Sequence, residues 1–223
     1  MYENVLDNLK TIREKIGTRP VTLLAVTKTV PAEVINRVID QGIDHIGENR
    51  VQELLQKYDH LHRRDQLHIH LIGSLQTNKV KYIIDKVELI ESLDSERLAR
   101  EIQKQAQKIG KIQDVLIEIN IGGEESKGGI PPKQLPSFLE TVRSLPNVRF
   151  CGLMCIPPRT DDRERLTKYF LDMKKLLVDN RAEKIDNIND YILSMGMSHD
   201  YEIAMDVGAT QVRIGSALFG DRK

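Results

Sequence analysis

The sequence predicts a single TIM (β/α)8 barrel spanning residues 1–223, with one extra helix ahead of the first strand. Three observations lead there. Short runs of β-branched and aliphatic residues alternate with longer helical patterns eight times along the chain. Strands that are each followed by a helix pair in parallel, through right-handed crossovers. Eight such units within 223 residues close one barrel with short loops and leave no room for a second domain. A doubly wound open sheet is the alternative that the same alternation permits.

The elements follow in order. "MYENVLDNLKTIREKIG" is charged and amphipathic at the helical period, so residues 2–17 form a helix against the barrel's outside rather than a signal peptide or a membrane span. The expected strands are "VTLLAVTK" (21–28), "HIGEN" (45–49), "HIHLIGS" (68–74), "VELIESL" (87–93), "DVLIEIN" (114–120), "VRFCGLMCI" (148–156), "YILSMGMS" (191–198) and "QVRIGSALFG" (211–220). In "PAEVINRVIDQG", Pro31 suits a first helical turn and Gly42 an exit. "SERLAREIQKQAQKIG" offers Ser95 as a cap and a stripe of Leu98, Ile102 and Ile109. With no tryptophan and 4 phenylalanines, the core must be mostly aliphatic.

Composition excludes several classes of function. Lys plus Arg (33) equals Asp plus Glu (33), and no basic run is studded with aromatics, so neither nucleic acid nor an anionic membrane is an expected partner. The polar helix faces lead to a monomer as the expected state. Cys151 and Cys155 are the only cysteines, which indicates a reducing, cytoplasmic setting. They share strand parity and have no further Cys or His at zinc spacing, so they read as small core residues. His60, His62 and His68 cluster loosely in "DHLHRRDQLHIH", which reads as a solvated loop more readily than as a metal site. No Gly-rich nucleotide-binding motif is present.

A TIM barrel carries its chemistry at the C-terminal ends of its strands. Lys28 ends an otherwise apolar strand whose Leu24 and Val26 share its parity, so the sequence places it in an enclosed barrel mouth. Desolvation there would lower its pKa and free the amine for a Schiff base. Class I aldolases and pyridoxal 5'-phosphate (PLP) proteins both need such a lysine. Ser198, Gly215 and Ser216 lie after the seventh and eighth strands, where barrel loops commonly hold phosphate through backbone N–H groups. Arg213 has the parity of Gly215. It either points outward to a helix carboxylate or points inward, where it suits the pyridine nitrogen of PLP and keeps that nitrogen unprotonated. His70 and Asn78 flank "LIGSLQTNK", a rim site or a turn, with Thr77 expected to cap a helix. "GGEESKGG" reads as a solvated loop or, given its place after the fifth strand, as a lid formed by residues 122–130.

These motifs are similar to those of the pyridoxal phosphate homeostasis proteins, the YggS/PROSC group, which resemble the N-terminal barrel of alanine racemase. The resemblance runs through "AVTKT" (25–29), "GENRVQE" (47–53), "HLIGSLQTNKVK" (70–81), "GEESKGG" (123–129), "GLM" (152–154), "LSMGMSHDYEIA" (193–204) and "VRIGSALFG" (212–220). It implies that Lys28 forms the Schiff base, that Arg213 faces the pyridine nitrogen, and that Ser198, Gly215 and Ser216 hold the phosphate. It also implies that Asn49 and Met195 lie near the ring. The function implied is that of a PLP carrier or buffer in vitamin B6 and amino-acid homeostasis, with PLP-dependent apo-enzymes as recipients. A weak amino-acid racemase is the first alternative. Against it, alanine racemase takes its second base from a further domain, whereas here the chain stops at "FGDRK". A Schiff-base aldolase acting on a sugar phosphate is the second alternative.

Overall fold

The computed structural model describes residues 2–124, 127–181 and 191–220. Its strands are β1 (Thr22–Val26), β2 (His45–Glu48), β3 (His68–Leu71), β4 (Leu89–Leu93), β5 (Gln113–Ile119), β6 (Val148–Cys155), β7 (Ile192–Ser194) and β8 (Gln211–Ile214). They pair in parallel in sequence order and close into a barrel, with Leu24 of β1 opposite Arg213 of β8. The barrel expectation holds, and closure removes the open-sheet alternative. The helices are α1 (Val5–Ile16), α2 (Ala32–Ile39), α3 (Val51–Tyr58), α4 (Glu96–Lys108), α5 (Leu135–Arg143), α6 (Arg163–Asn180), α7 (Tyr201–Val207) and α8 (Ser216–Phe219).

Helix α1 buries Val5, Leu9, Ile12 and Ile16, one stripe at helical spacing. It packs against α2 and α8, where Asn8 Nδ2 donates to the Leu218 carbonyl at 3.0 Å. The extra N-terminal helix therefore covers the seam where the barrel closes. Helix α4 buries Leu98, Ala99, Ile102 and Ala106, whereas Ile109 lies at the C-cap and is 49% exposed, so the expected stripe ends one turn early. Neither Ser95 nor Thr77 caps through its side chain. Thr77 instead begins a 3-10 helix, Thr77–Tyr82, which makes the crossover from β3 to β4 without an α-helix. The last strand stops at Ile214 instead of reaching residue 220, because α8 starts immediately after Gly215.

The expected shared parity of Cys151 and Cys155 does not survive. The β5–β6 register slips by one residue, from Val115↔Phe150 to Leu116↔Gly152, so a bulge inserts Cys151. Cys151 consequently packs inside the barrel with Leu89, Leu116 and Met154, and Cys155 packs in the main core outside the strands. Gly152 sits at φ 147°, and a Cβ there would run into the Ile192 carbonyl. Burial pushes both thiols up to about 12, which suits inert core residues.

The barrel interior is layered. Leu24, Val26 and Ile72 pack near the C-terminal mouth, and the Leu89 cluster packs near the floor. Between them lies a buried polar girdle of His70, Glu91, Ser194, Gln211 and Arg213. Glu91 Oε1 accepts from Gln211 Nε2 at 2.7 Å and lies 2.7 Å from His70 Nδ1, while Oε2 accepts from Ser194 Oγ at 2.6 Å. Burial alone would raise the pKa of Glu91. The hydrogen bond and charge of His70, the charge of Arg213 and the Ser194 bond more than offset that and hold it below its ordinary value. Arg213 donates from Nη1 to Ser194 Oγ and from Nη2 to the Cys155 carbonyl, both at 2.7 Å. Glu118, higher in β5, has no such support among the described residues. Burial, with the charge of Asp94 added and that of Arg213 opposing, pushes it up to about 7.

Two outcomes are expected. Ser194→Ala strips one hydrogen bond each from the buried Glu91, Gln211 and Arg213, and urea unfolding should show a loss of about 1–3 kcal/mol. Glu118 binds a proton in the fold that the unfolded chain has released. Its stabilising contribution is therefore complete below about 4.5 and is lost as the pH rises to about 7. Urea midpoints measured across that window should fall with rising pH, and Glu118→Gln should flatten the slope.

Candidate functional site

At the C-terminal mouth a cavity of about 370 Å³ is lined by Lys28, Asn49, Ser198, Arg213, Gly215 and Ser216, with Val26, Ile72, Ile156, Met197 and His199 completing its wall. Six of the seven residues singled out in the sequence thus surround one space, although they come from four different βα junctions. Met195 does not line it. Its side chain is wholly buried in the hydrophobic core, and the neighbouring methionine of the "SMGMS" segment, Met197, faces the cavity instead.

Lys28 differs from expectation in one respect. Strand β1 ends at Val26, Thr27 takes the last buried position, and Lys28 is exposed in the turn that follows. The enclosure expected of this residue is therefore not what the strand end provides. The turn itself is clamped from below. Thr27 Oγ1 donates to Glu48 Oε1 at 2.6 Å, and Lys57 Nζ reaches that oxygen at 2.7 Å and the Thr27 carbonyl at 2.8 Å. On the far side, the Thr29 N–H donates to Glu53 Oε2 at 2.7 Å, with Thr29 held at φ 58°. A threonine rarely adopts that conformation without being held in it. The carboxylates of "GENRVQE", together with Lys57, thus position the lysine without touching the cavity.

Asn49 follows β2, and Gly73 follows β3 so closely that a Cβ on Gly73 would overlap the Asn49 backbone. Glycine is required there, and it locks Asn49 at the rim. The Asn49 Oδ1 atom is buried and has no hydrogen-bond partner among the described residues. Such an atom carries a desolvation cost that a ligand donor would relieve. On the opposite wall, Ser198 Oγ accepts the backbone N–H of Gly215 at 3.3 Å and that of Ala217 at 3.1 Å. Ser198, Gly215 and Ser216 line the cavity on this side, and the Ser198 hydroxyl, accepting two amides, keeps its own hydrogen to donate. Arg213 points inward, which settles its orientation: it is 3% exposed, and two of its nitrogens are tied to Ser194 and Cys155.

Other candidates fall elsewhere. His70 belongs to the interior girdle rather than the rim, and Asn78 is exposed on the 3-10 helix. The 122–130 segment returns to β5 through an Ile119–Ile130 bridge, and its residues 125 and 126 lie outside the described residues. Sequence reasoning missed Glu91, Ser194, Glu118 and Lys57. Only "LIESL" carried a signal, a carboxylate inside an otherwise apolar strand.

The chain matches the alanine racemase N-terminal domain family over residues 2–223. It is 48% identical over 229 residues to a pyridoxal phosphate homeostasis protein of Aquifex aeolicus, covering 99% of each chain. A protein of the same name from Pseudomonas aeruginosa is 38% identical over 225 residues, covering 99% of this chain and 95% of that one. Among solved structures, PipY of Synechococcus elongatus with PLP bound superposes with a TM-score of 0.86 at 30% identity, over 97% of this chain and all (100%) of that one. An alanine racemase of Clostridium difficile superposes with a TM-score of 0.79 at 18% identity, over 99% of this chain and 57% of that one, a likeness of fold alone. The barrel, its mouth and these relatives together show that the chain belongs to the alanine racemase N-terminal domain family and, within it, to the pyridoxal phosphate homeostasis proteins.

Proposed function

We propose that this protein binds PLP at the mouth of its barrel and acts as a carrier in PLP and amino-acid homeostasis. The observation that carries the reading is the meeting of a lysine amine, an inward-facing arginine and a serine–amide cradle around one cavity of about 370 Å³. That volume lies within the ordinary range for small-molecule sites, about 300–1,000 Å³. The unpartnered Asn49 Oδ1 supplies an independent sign that the site awaits a polar ligand. The relatives' names and the PLP-bound PipY structure support the same ligand class.

Bound PLP supplies an aldehyde that the Lys28 amine can capture as a Schiff base. The chain's own residues then divide the remaining work. Ser198, Gly215 and Ser216 hold the phosphate, with the Ser198 hydroxyl donating to it while its oxygen accepts the Gly215 and Ala217 amides. Arg213, fixed by Ser194 and the Cys155 carbonyl, faces the ring nitrogen as a donor that cannot take up its proton. Holding that nitrogen unprotonated weakens the ring as an electron sink, which favours retention over broad amino-acid chemistry. The Thr27–Glu48–Lys57 clamp keeps the lysine turn over the site. Among the described residues no helix is long and apolar enough to cross a membrane. In this reading the protein works as a monomer in the cytoplasm and passes PLP to PLP-dependent apo-enzymes.

The purified protein should be yellow. Borohydride should bleach it and leave a pyridoxyl mass increment on Lys28, whereas Lys28→Ala should lose the colour on gel filtration. Colour that survives the substitution would remove Lys28 from the role. Chiral analysis of L-amino acids incubated with the loaded protein should show no turnover beyond that of PLP in solution. Racemisation that disappears in Lys28→Ala would replace the carrier with a racemase.

A further inference from the structure

At the other end of the barrel lies a group of side chains that PLP binding does not use. His45 opens β2 and His68 opens β3, and the parallel register sets the two opposite each other. Their rings stack with centroids 4.3 Å apart and planes 14° from parallel. Asp44 precedes His45, and one potential ligand atom from each of Asp44, His45 and His68 lies within 4.8 Å of the other two. This pairing also takes His68 out of the loose histidine cluster read from the sequence, since His62 binds Asp40 instead.

One imidazole is backed by a carboxylate directly through Nδ1, and the other through a neighbouring histidine. His68 Nδ1 lies 2.5 Å from Glu88 Oε2, so it donates there and leaves Nε2 with its lone pair. His45 Nδ1 lies 3.3 Å from His70 Nε2, and His70 Nδ1 lies 2.7 Å from the buried Glu91. An ionised carboxylate only accepts, so His70 donates to Glu91 from Nδ1. The 3.3 Å contact between His70 Nε2 and His45 Nδ1 ties the His45 ring to the same carboxylate at one remove. A carboxylate on the non-ligating ring nitrogen is the support that metal-binding histidines ordinarily have, and His68 has it directly. A cavity of about 680 Å³ opens onto His45, His70 and Glu88, with space for water ligands.

We propose that Asp44, His45 and His68 bind a divalent first-row transition-metal ion, with zinc best suited, at the N-terminal face of the barrel. Two imidazoles and a carboxylate suit a borderline-soft ion, and water completes the coordination. The spacing of up to 4.8 Å needs only side-chain rotation to reach metal–ligand bonds of about 2.0–2.2 Å. The site is independent of the cofactor reading, because it shares no residue with the cavity around Lys28.

The test is a cobalt(II) titration of tag-free, full-length protein after treatment with chelator. The expected result is a ligand-field absorption band that saturates at one ion per chain and is displaced by zinc. His45→Ala and His68→Ala should each weaken binding about tenfold or more, and Glu88→Gln should weaken it by about ten- to a hundredfold through loss of support. His62→Ala should leave it unchanged. Should the alanine variants fail to fold, histidine-ring NMR of the unaltered protein replaces them. Zinc should then shift the His45 and His68 signals, with those of His60 and His62 staying still. Absence of a saturable band overturns the proposal. So does binding that persists when both His45 and His68 are replaced, and so do NMR shifts at His60 or His62 instead.

Discussion

Closure of the barrel between β1 and β8 is the constraint on which the rest of the molecule depends. Pairing Leu24 with Arg213 brings the first strand beside the last. It thereby sets the Lys28 turn next to Gly215 and Ser216, residues from opposite ends of the chain. No local interaction could hold those groups around one cavity. The α1 helix seals the same seam from outside through α8, the short helix that follows Gly215. The element outside the eightfold repeat therefore stabilises the junction on which the site is built.

Closure also creates an interior that has to be filled. An all-apolar filling would satisfy packing, but here the middle layer contains an ion-rich network. Such a layer is not there for stability alone, because buried charges lose hydration that their partners only partly replace. Its consequence lies in direction. Glu91 anchors Ser194, Ser194 anchors Arg213, and the Cys155 carbonyl fixes the guanidinium from the other side. An arginine held at two points presents its remaining N–H groups along a set line, which an arginine on a loop cannot do.

The repeat was legible because parallel strands buried on both faces read as short apolar runs, and all eight appear where such runs occur. The mouth residues were legible because strand ends in a barrel converge, so Lys28, Asn49, Ser198 and Arg213 could be brought together without knowing any distance. What escaped depends on register. Cys151 and Cys155 seemed to share a face until the bulge at Cys151 separated them. Met195 and Met197 have equal claims in "SMGMS", and only the early end of β7 at Ser194 decides between them. The expected burial of Lys28 failed for the same reason, since β1 stops two residues before it. The partners of Glu91 lie on β3, β7 and β8, and no pattern within "LIESL" could reveal them.

That failed expectation bears on what the lysine does. A fully buried amine would be activated by desolvation, but it would also be shielded from the water needed to break a covalent bond to a captured aldehyde. Lys28 instead sits in an exposed turn whose backbone is clamped by Glu48, Lys57 and Glu53, above a rigid arginine and a locked asparagine. Position is fixed while access stays open. In the proposed reading, an amine held this way would favour reversible capture over the chemistry that a sealed site would promote, because the exposed turn leaves the bond open to water. In that reading the fixed parts of the cavity would give selectivity and the exposed turn would give release, the two properties that a carrier must combine.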